Sequence, residues 1–227
     1  MSLDFNSFLP HELISIGGTI LFLWVAGGVV FNLIRWRDVL GSYTIVRSRS
    51  PTIRSALRAL GRTVARDILF QRDIFECNFT RWFSHISVFW GFILLAVSTT
   101  LDAMLNPGAL PLAPSHPVRI IGNMGGILFV AGLMIMVYRR AFSGVRRSST
   151  FADIFFLSML SAVGLTGFLT EIFSDRGSFP VTFVVYWLHI SLVTALFALA
   201  PFTKFVHAIG RPILSFLEHY VQPKNRK

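Results

Sequence analysis

Five long apolar stretches, each closed by charged or turn-forming residues, fix what this chain can fold into. A hydrocarbon core of about 30 Å is crossed by about 20 apolar residues in a helix, because every backbone polar group must be satisfied internally. Residues 13–34, 82–101, 118–138, 151–173 and 181–207 meet that requirement. The predicted fold is therefore an all-α integral membrane protein, a single domain built as a five-transmembrane-helix bundle. Charged residues make up 14% of the chain, against about 25% in a soluble domain. Asp102 with Asn106-Pro107-Gly108 closes the second span, and Asp175-Arg176-Gly177 closes the fourth. Pro201 lies inside the fifth, where its missing N–H predicts a kink.

The formal charge of +10 would suggest a nucleic-acid partner in a soluble protein, but its placement here gives topology instead. The connection after the first span holds Arg35, Arg37, Arg47, Arg49, Arg54, Arg58, Arg62, Arg66, Arg72 and Arg81. The third connection holds Arg139, Arg140, Arg146 and Arg147, and the tail holds Lys204, Arg211, Lys224, Arg226 and Lys227. The opposite side has only Arg119 and Arg176. The positive-inside rule then places the N-terminus outside and the C-terminus in the cytoplasm of a multi-pass protein of the cell membrane, with no nucleic-acid partner. Met1 to Glu12 carry no Lys or Arg, so the first apolar run reads as a retained span rather than a signal peptide. The single Cys77 excludes an intrachain disulfide and any multi-cysteine metal or iron–sulfur site within this chain.

Arg54, Arg58, Arg62 and Arg66 recur every fourth residue beside an apolar row of Ile53, Leu57, Leu60, Val64 and Ile68. That pattern predicts a basic amphipathic interfacial helix over residues 52–70, on anionic headgroups or against an acidic partner.

Ionisable side chains inside spans are costly, which makes the intramembrane histidines candidates for function, and imidazole ligates haem iron. His189 and His207 are 18 residues apart, about five whole turns, so an unbroken helix carries both on one face about 27 Å apart. His189 then falls in the outer half and His207 near the inner surface. His85, one turn into the second span, shares the level of His207. Such an arrangement suits two haems stacked across a bilayer; interfacial histidines bonded to headgroups or backbone would look the same. Gly91, Gly122, Gly125, Gly126, Gly164 and Gly167 would let a flat macrocycle approach the backbone, although such glycines also serve close helix packing. Arg81 could pair with haem propionates.

The runs Trp82-Phe83-Ser84-His85 through Trp90-Gly91-Phe92, His116-Pro117-Val118 through Gly122-Asn123-Met124-Gly125-Gly126, Leu165-Thr166-Gly167-Phe168, and Trp187-Leu188-His189 through Pro201-Phe202-Thr203-Lys204-Phe205-Val206-His207 carry a resemblance. In their order they resemble the gamma-type cytochrome b subunits of respiratory nitrate reductase. The branch holding membrane subunits of heterodisulfide reductase and of the sulfite-reduction-associated complex is the most similar. The resemblance implies two b-type haems passing electrons between a quinol or methanophenazine pool and a cytoplasmic iron–sulfur subunit of a respiratory oxidoreductase. It implies His85 and His207 as ligands of the inner haem and His189 as one ligand of the outer haem. The nitrate reductase pattern has a further histidine where this chain has Leu95, and leucine cannot ligate iron.

For the outer site His116 could supply the second ligand, or Met124, or His189 could bind a five-coordinate haem, or that haem could be absent. Glu171, ending the fourth span, could accept protons from a quinol, with His116 as the other candidate; a terminal glutamate also serves as a solvated boundary. Asp153 suits the N-terminal dipole of its helix. His11 and His219 read as solvent-facing, and Cys77 as inert or at most a lipid-modification site. The competing reading is a haem-free transporter or assembly subunit, which the absence of a discontinuous pair of helices in the sequence disfavours.

Overall fold

The computed structural model of the protein describes residues 11–45, 52–106, 112–142 and 150–221. The described secondary structure is helical. Helix α1 covers His11–Ile45, and α2 (Ile53–Arg62) runs directly into a π-helical segment, Thr63–Leu69. Then come α3 (Arg72–Cys77), α4 (Phe79–Leu105), α5 (Pro117–Phe142), α6 (Phe151–Asp175), α7 (Phe179–Leu199) and α8 (His207–Val221). Five helices are long and apolar enough to cross a membrane: Ile16–Arg37 within α1, then α4, α5, α6 and Phe179–Phe202. The Pro107-Gly108 turn and the cations Arg47, Arg49, Arg146, Arg147, Lys224, Arg226 and Lys227 lie outside the described residues, as do the side chains of His11, Lys204 and His207.

Glycine decides how the central helices pack. A Cβ on Gly91 would stand 2.5 Å from the Phe129 nitrogen and 2.7 Å from the Gly125 carbonyl oxygen, and one on Gly132 would stand 2.7 Å from the Ser84 carbonyl oxygen. Helices α4 and α5 therefore touch backbone to backbone, the close approach that small residues permit in lipid. Phe129 and Leu133 fill the core beside this seam with Leu157, Leu160 and Leu196, and Leu95 packs against them. The glycines expected to seat a macrocycle meet protein instead. Gly122 faces the Ser98 hydroxyl, Gly126 the Phe168 ring and Gly164 the side chains of Phe129 and Val130.

The fifth span is broken, not kinked. Helix α7 stops at Leu199, two short 3₁₀ turns follow (Ala200–Phe202 and Lys204–Val206), and α8 begins at His207. Pro201 withholds a donor, and Thr203 is extended at φ −111°, ψ −177°. The carbonyls this frees find donors on α1. The indole Nε1–H of Trp24 donates to the Ala198 carbonyl (2.9 Å), and the Asn32 amide donates to that of Pro201 (2.9 Å). Between them a Cβ on Gly28 would collide with the Pro201 ring, and one on Gly210 of α8 would stand 2.8 Å from the Trp36 ring. Trp24, Gly28, Asn32 and Trp36 are successive fourth residues, so one ridge of α1 seats the break.

On the side where α4 begins, the π-helical segment is tied to two helices. The indoles of Trp82 and Trp90 donate to the carbonyls of Phe70 (2.7 Å) and Leu69 (3.3 Å). Asp67 accepts from the Ser215 hydroxyl and lies 2.8 Å from Nε2 of His219. His219 thus belongs to a helix–helix contact and is not solvent-facing, because α8, absent from the sequence expectation, folds back over the segment.

Candidate functional site

His189 sits at the middle of α7, ten residues from either end of the helix. The expected outer-half position followed from a span running on to residue 207, and the break at Pro201 removes that extension. It also removes the single helical face proposed for His189 and His207, since the helix ends ten residues after His189. Thr182 and Leu196, seven residues to either side, are 0% and 4% exposed, so this face of α7 lies against the bundle.

The neighbouring helix fixes the imidazole. Thr166 Oγ1 of α6 lies 3.0 Å from His189 Nδ1, and the same hydroxyl donates to the carbonyls of Ala162 (2.7 Å) and Val163 (3.1 Å). A hydroxyl has one proton. With that proton shared between backbone carbonyls, Thr166 accepts from Nδ1–H, and the neutral ring keeps its Nε2 lone pair. This is the tautomer a metal-ligating histidine adopts, its other nitrogen held by a neighbouring hydrogen-bond partner. Gly167 completes the seat, since a Cβ there would stand 3.2 Å from His189 Cε1.

The candidate second ligands do not meet His189. His116 precedes α5 and its Nδ1 accepts from the Val118 backbone N–H at 3.3 Å, capping the helix. That bond puts the ring proton on Nε2, which then donates and cannot ligate. Met124 is 56% exposed, in a row with Ile120, Ile127 and Met134 on the outer face of α5. At 100° per residue it points about 160° away from Gly126, the glycine that faces α6. Its depth suits His189 but its direction does not.

Arg119, unassigned by the sequence, organises the α5–α6 end. Its Nε donates to Glu171 (2.8 Å), one terminal nitrogen donates to the Leu112 carbonyl (2.8 Å), and the other is paired with Asp175. The guanidinium side chain is 13% exposed. Being one of two cations on its side of the membrane was the available signal; its partners on α6 emerge only with the tertiary fold. Glu171 lies one turn beyond Gly167 on the same face of α6, about 6 Å along the axis. It is therefore displaced from the level of His189 and already holds a counter-ion. Asp153 forms a capping box with Thr150 (Oδ2 to the Thr150 N–H, 3.0 Å) and lies 3.6 Å from Arg140, consistent with its helix-terminal reading.

On the other side of the bundle His85 lies seven residues before Phe92 on α4, about two turns along the same face. The Phe92 ring meets Phe205 at 5.9 Å and Phe197 at 6.3 Å, joining α4 to the segment that follows α7. His207 opens α8 two residues past Phe205. Tertiary ring contacts, rather than helical periodicity, thus relate the His85 and His207 positions. Arg81 is exposed in the first turn of α4, one turn before His85. Among the described residues no three His, Cys, Asp or Glu side chains converge on a point. The donor chemistry at His189 fits a haem; the glycine seams offer it no cradle.

A family model described as "CitB: Citrate utilization protein B" matches residues 1–227. The chain is 32% identical over 163 residues to a subunit of the dihydromethanophenazine:CoB--CoM heterodisulfide reductase of Methanosarcina mazei, a match covering 65% of this chain and 63% of that protein. Against the corresponding protein of Methanosarcina acetivorans it is 25% identical over 241 residues, covering 91% and 90%. It is 28% identical over 162 residues to the nitrate reductase-like protein NarX of Mycobacterium tuberculosis, covering 60% of this chain and 24% of that one. The chain thus spans somewhat under two thirds of the Methanosarcina mazei relative. No solved structure matches it.

Proposed function

Since the chain belongs to the citrate utilization protein B family, and is similar to a protein of heterodisulfide reductase, we propose that it is the membrane electron-transfer subunit of an oxidoreductase complex. It exchanges electrons between a quinone or methanophenazine pool and a cytoplasmic iron–sulfur partner, and the partner carries out the final reduction or oxidation. The observation that carries this reading is the His189 imidazole, half-buried at mid-membrane with Nδ1 spent on Thr166 and Nε2 left basic. His189 would hold one b-type haem, alone among the histidines at its level, and His85 with His207 would hold a second. Bound there, haem supplies one-electron carriage through a medium that admits no free ions.

The chain's own groups set the surroundings. Thr166 holds the tautomer of His189, and Gly167 leaves room for the ring. Glu171, paired with Arg119, offers a carboxylate between His189 and the surface where a lipid-soluble carrier's protons could be received. Phe92, Phe197 and Phe205 pack as one aromatic cluster that joins α4, α7 and the segment before α8. The one described helix break has its freed carbonyls occupied by α1, which differs from the paired discontinuous helices of transporters.

A reduced-minus-oxidised spectrum with haem quantitation tests the proposal, using the protein purified with its partners and the His85→Ala, His207→Ala and His189→Ala variants. Two haems per chain are expected, one lost in either of the first two variants and the other in the third. A wild-type preparation without a Soret band refutes it.

A further inference from the structure

Residues 53–66 have a surface that the electron-transfer reading does not use. Counting from Ile53 at 100° per residue, α2 and the start of the π-helical segment divide into three faces. Ala59 and Thr63, 3% and 2% exposed, lie on one that is buried in the fold. The apolar row follows about 110° further round, and the arginines Arg54, Arg58 and Arg62 about 130° beyond that. Ile53 is 82% exposed, Leu57 63% and Leu60 49%. Arg54, Arg58, Arg62 and Arg66 are exposed as well. The helix thus shows an uncovered apolar stripe and an uncovered cationic stripe, with its third face already spent inside the protein.

The position of the arm selects what covers the apolar stripe. Helix α4 has 27 residues, about 40 Å, so it overruns a hydrocarbon core of about 30 Å by some 10 Å. Its first turn holds Trp82, whose indole donates to the Phe70 carbonyl, and Trp90, two turns further in, donates to that of Leu69. Interfacial tryptophans sit at the headgroup level, so the arm leaves the bundle at that level. Exposed Phe79 and Phe83 adjoin Trp82, whose indole holds the Phe70 carbonyl at the end of the π-helical segment, so the arm starts from the lipid-facing surface of a span. Arg66 is paired with Asp73 and Glu76, and no Asp or Glu occurs between Asp38 and Asp67, so the stripe of one sign is Arg54, Arg58 and Arg62.

We infer that α2 and the start of the π-helical segment form an arm that docks on the anionic bilayer surface, with Ile53, Leu57, Leu60 and Val64 among the acyl chains and Arg54, Arg58 and Arg62 on phospholipid phosphates. The Asp67 contact with Ser215 and His219 holds α8 against the same arm. Each arginine near an anionic leaflet adds electrostatic attraction, so the arm grips a phosphatidylglycerol-rich bilayer more firmly than a neutral one.

The test places a nitroxide at Leu57→Cys or Arg62→Cys in full-length Cys77→Ser protein, in nanodiscs of phosphatidylcholine with or without phosphatidylglycerol. Both positions are exposed, so neither label disturbs the fold. With phosphatidylglycerol present, collisions at Leu57 should favour oxygen over an aqueous nickel chelate several-fold, and those at Arg62 should show the opposite preference. The Leu57 preference should weaken in pure phosphatidylcholine, and in the Arg54→Gln/Arg58→Gln/Arg62→Gln background it should become insensitive to lipid charge. A Leu57 label that prefers the nickel chelate in anionic nanodiscs overturns the inference. So does one shielded from both reagents only after a partner protein is added, or one that is blind to lipid charge in the wild-type background. None of these readouts requires haem, so the result stands apart from the electron-transfer proposal.

Discussion

A threonine hydroxyl has one proton, and at Thr166 it points to backbone carbonyls. His189 must then donate through Nδ1, whatever occupies its other nitrogen. Thr166→Val keeps the shape and removes one acceptor, leaving the imidazole N–H only its bond to the Val163 backbone, at a cost of about 1 kcal/mol. Unfolding in mixed micelles should register that loss, with Thr166→Ser close to wild type. If haem is bound, its midpoint potential should shift in Thr166→Val and not in Thr166→Ser. At this scale the sequence was informative about residue type: an ionisable group inside an apolar run marks His85, His189 and Glu171 without any structure. Direction was not readable. Met124 and His116 look equally eligible as ligands until one is seen on the outer face of α5 and the other spent on a backbone N–H. Both depend on how far α5 has turned by a given residue and on what lies beside it.

Among the elements, the break after α7 differs most from its sequence expectation. Proline permits either a kinked or an interrupted helix, and the local sequence does not choose. The choice is made on α1, where Trp24 and Asn32 supply donors for the carbonyls that an interruption exposes. Asn32→Ala should destabilise the bundle by about 0.6 kcal/mol and at most about 1.7, the range measured for polar contacts between membrane helices. Unfolding in mixed micelles measures it, and Pro201→Ala in the same background should recover part of the loss by restoring a local donor. Three of the spans were closely legible because length and hydropathy suffice for them: α4, α5 and α6 extend their expected bounds by four residues or fewer at either end. Helices α3 and α8 were not, since short or mixed-polarity helices acquire their stability from what they pack against.

At the scale of the whole molecule, the charge asymmetry predicts the side from which each connection can be reached. Cys77 is exposed, ends α3 and is the chain's single thiol, so it reports on the face that bears the arginine-rich connection. A membrane-impermeant maleimide should label it in inside-out vesicles and leave it untouched in sealed right-side-out ones; the reverse pattern inverts the assigned topology. The glycine seam of α4 and α5 and the imidazole seat between α6 and α7 use different parts of the bundle, so either can be perturbed while the other is monitored.

The α1 ridge also bears on how the protein is made. Its two bonds to the α7 break join residues 174 and 169 positions apart, the first apolar span and the last. During synthesis Trp24 and Asn32 enter the membrane long before Ala198 and Pro201 exist, so their donors must wait on lipid headgroups, water or the insertion machinery. Closure of the bundle is then a late, long-range event, and loops of that size close slowly compared with contacts between neighbouring helices. A ribosome stalled before Phe179 leaves a membrane intermediate whose first helix is unattached, which makes that helix the natural point of recognition for quality-control proteases.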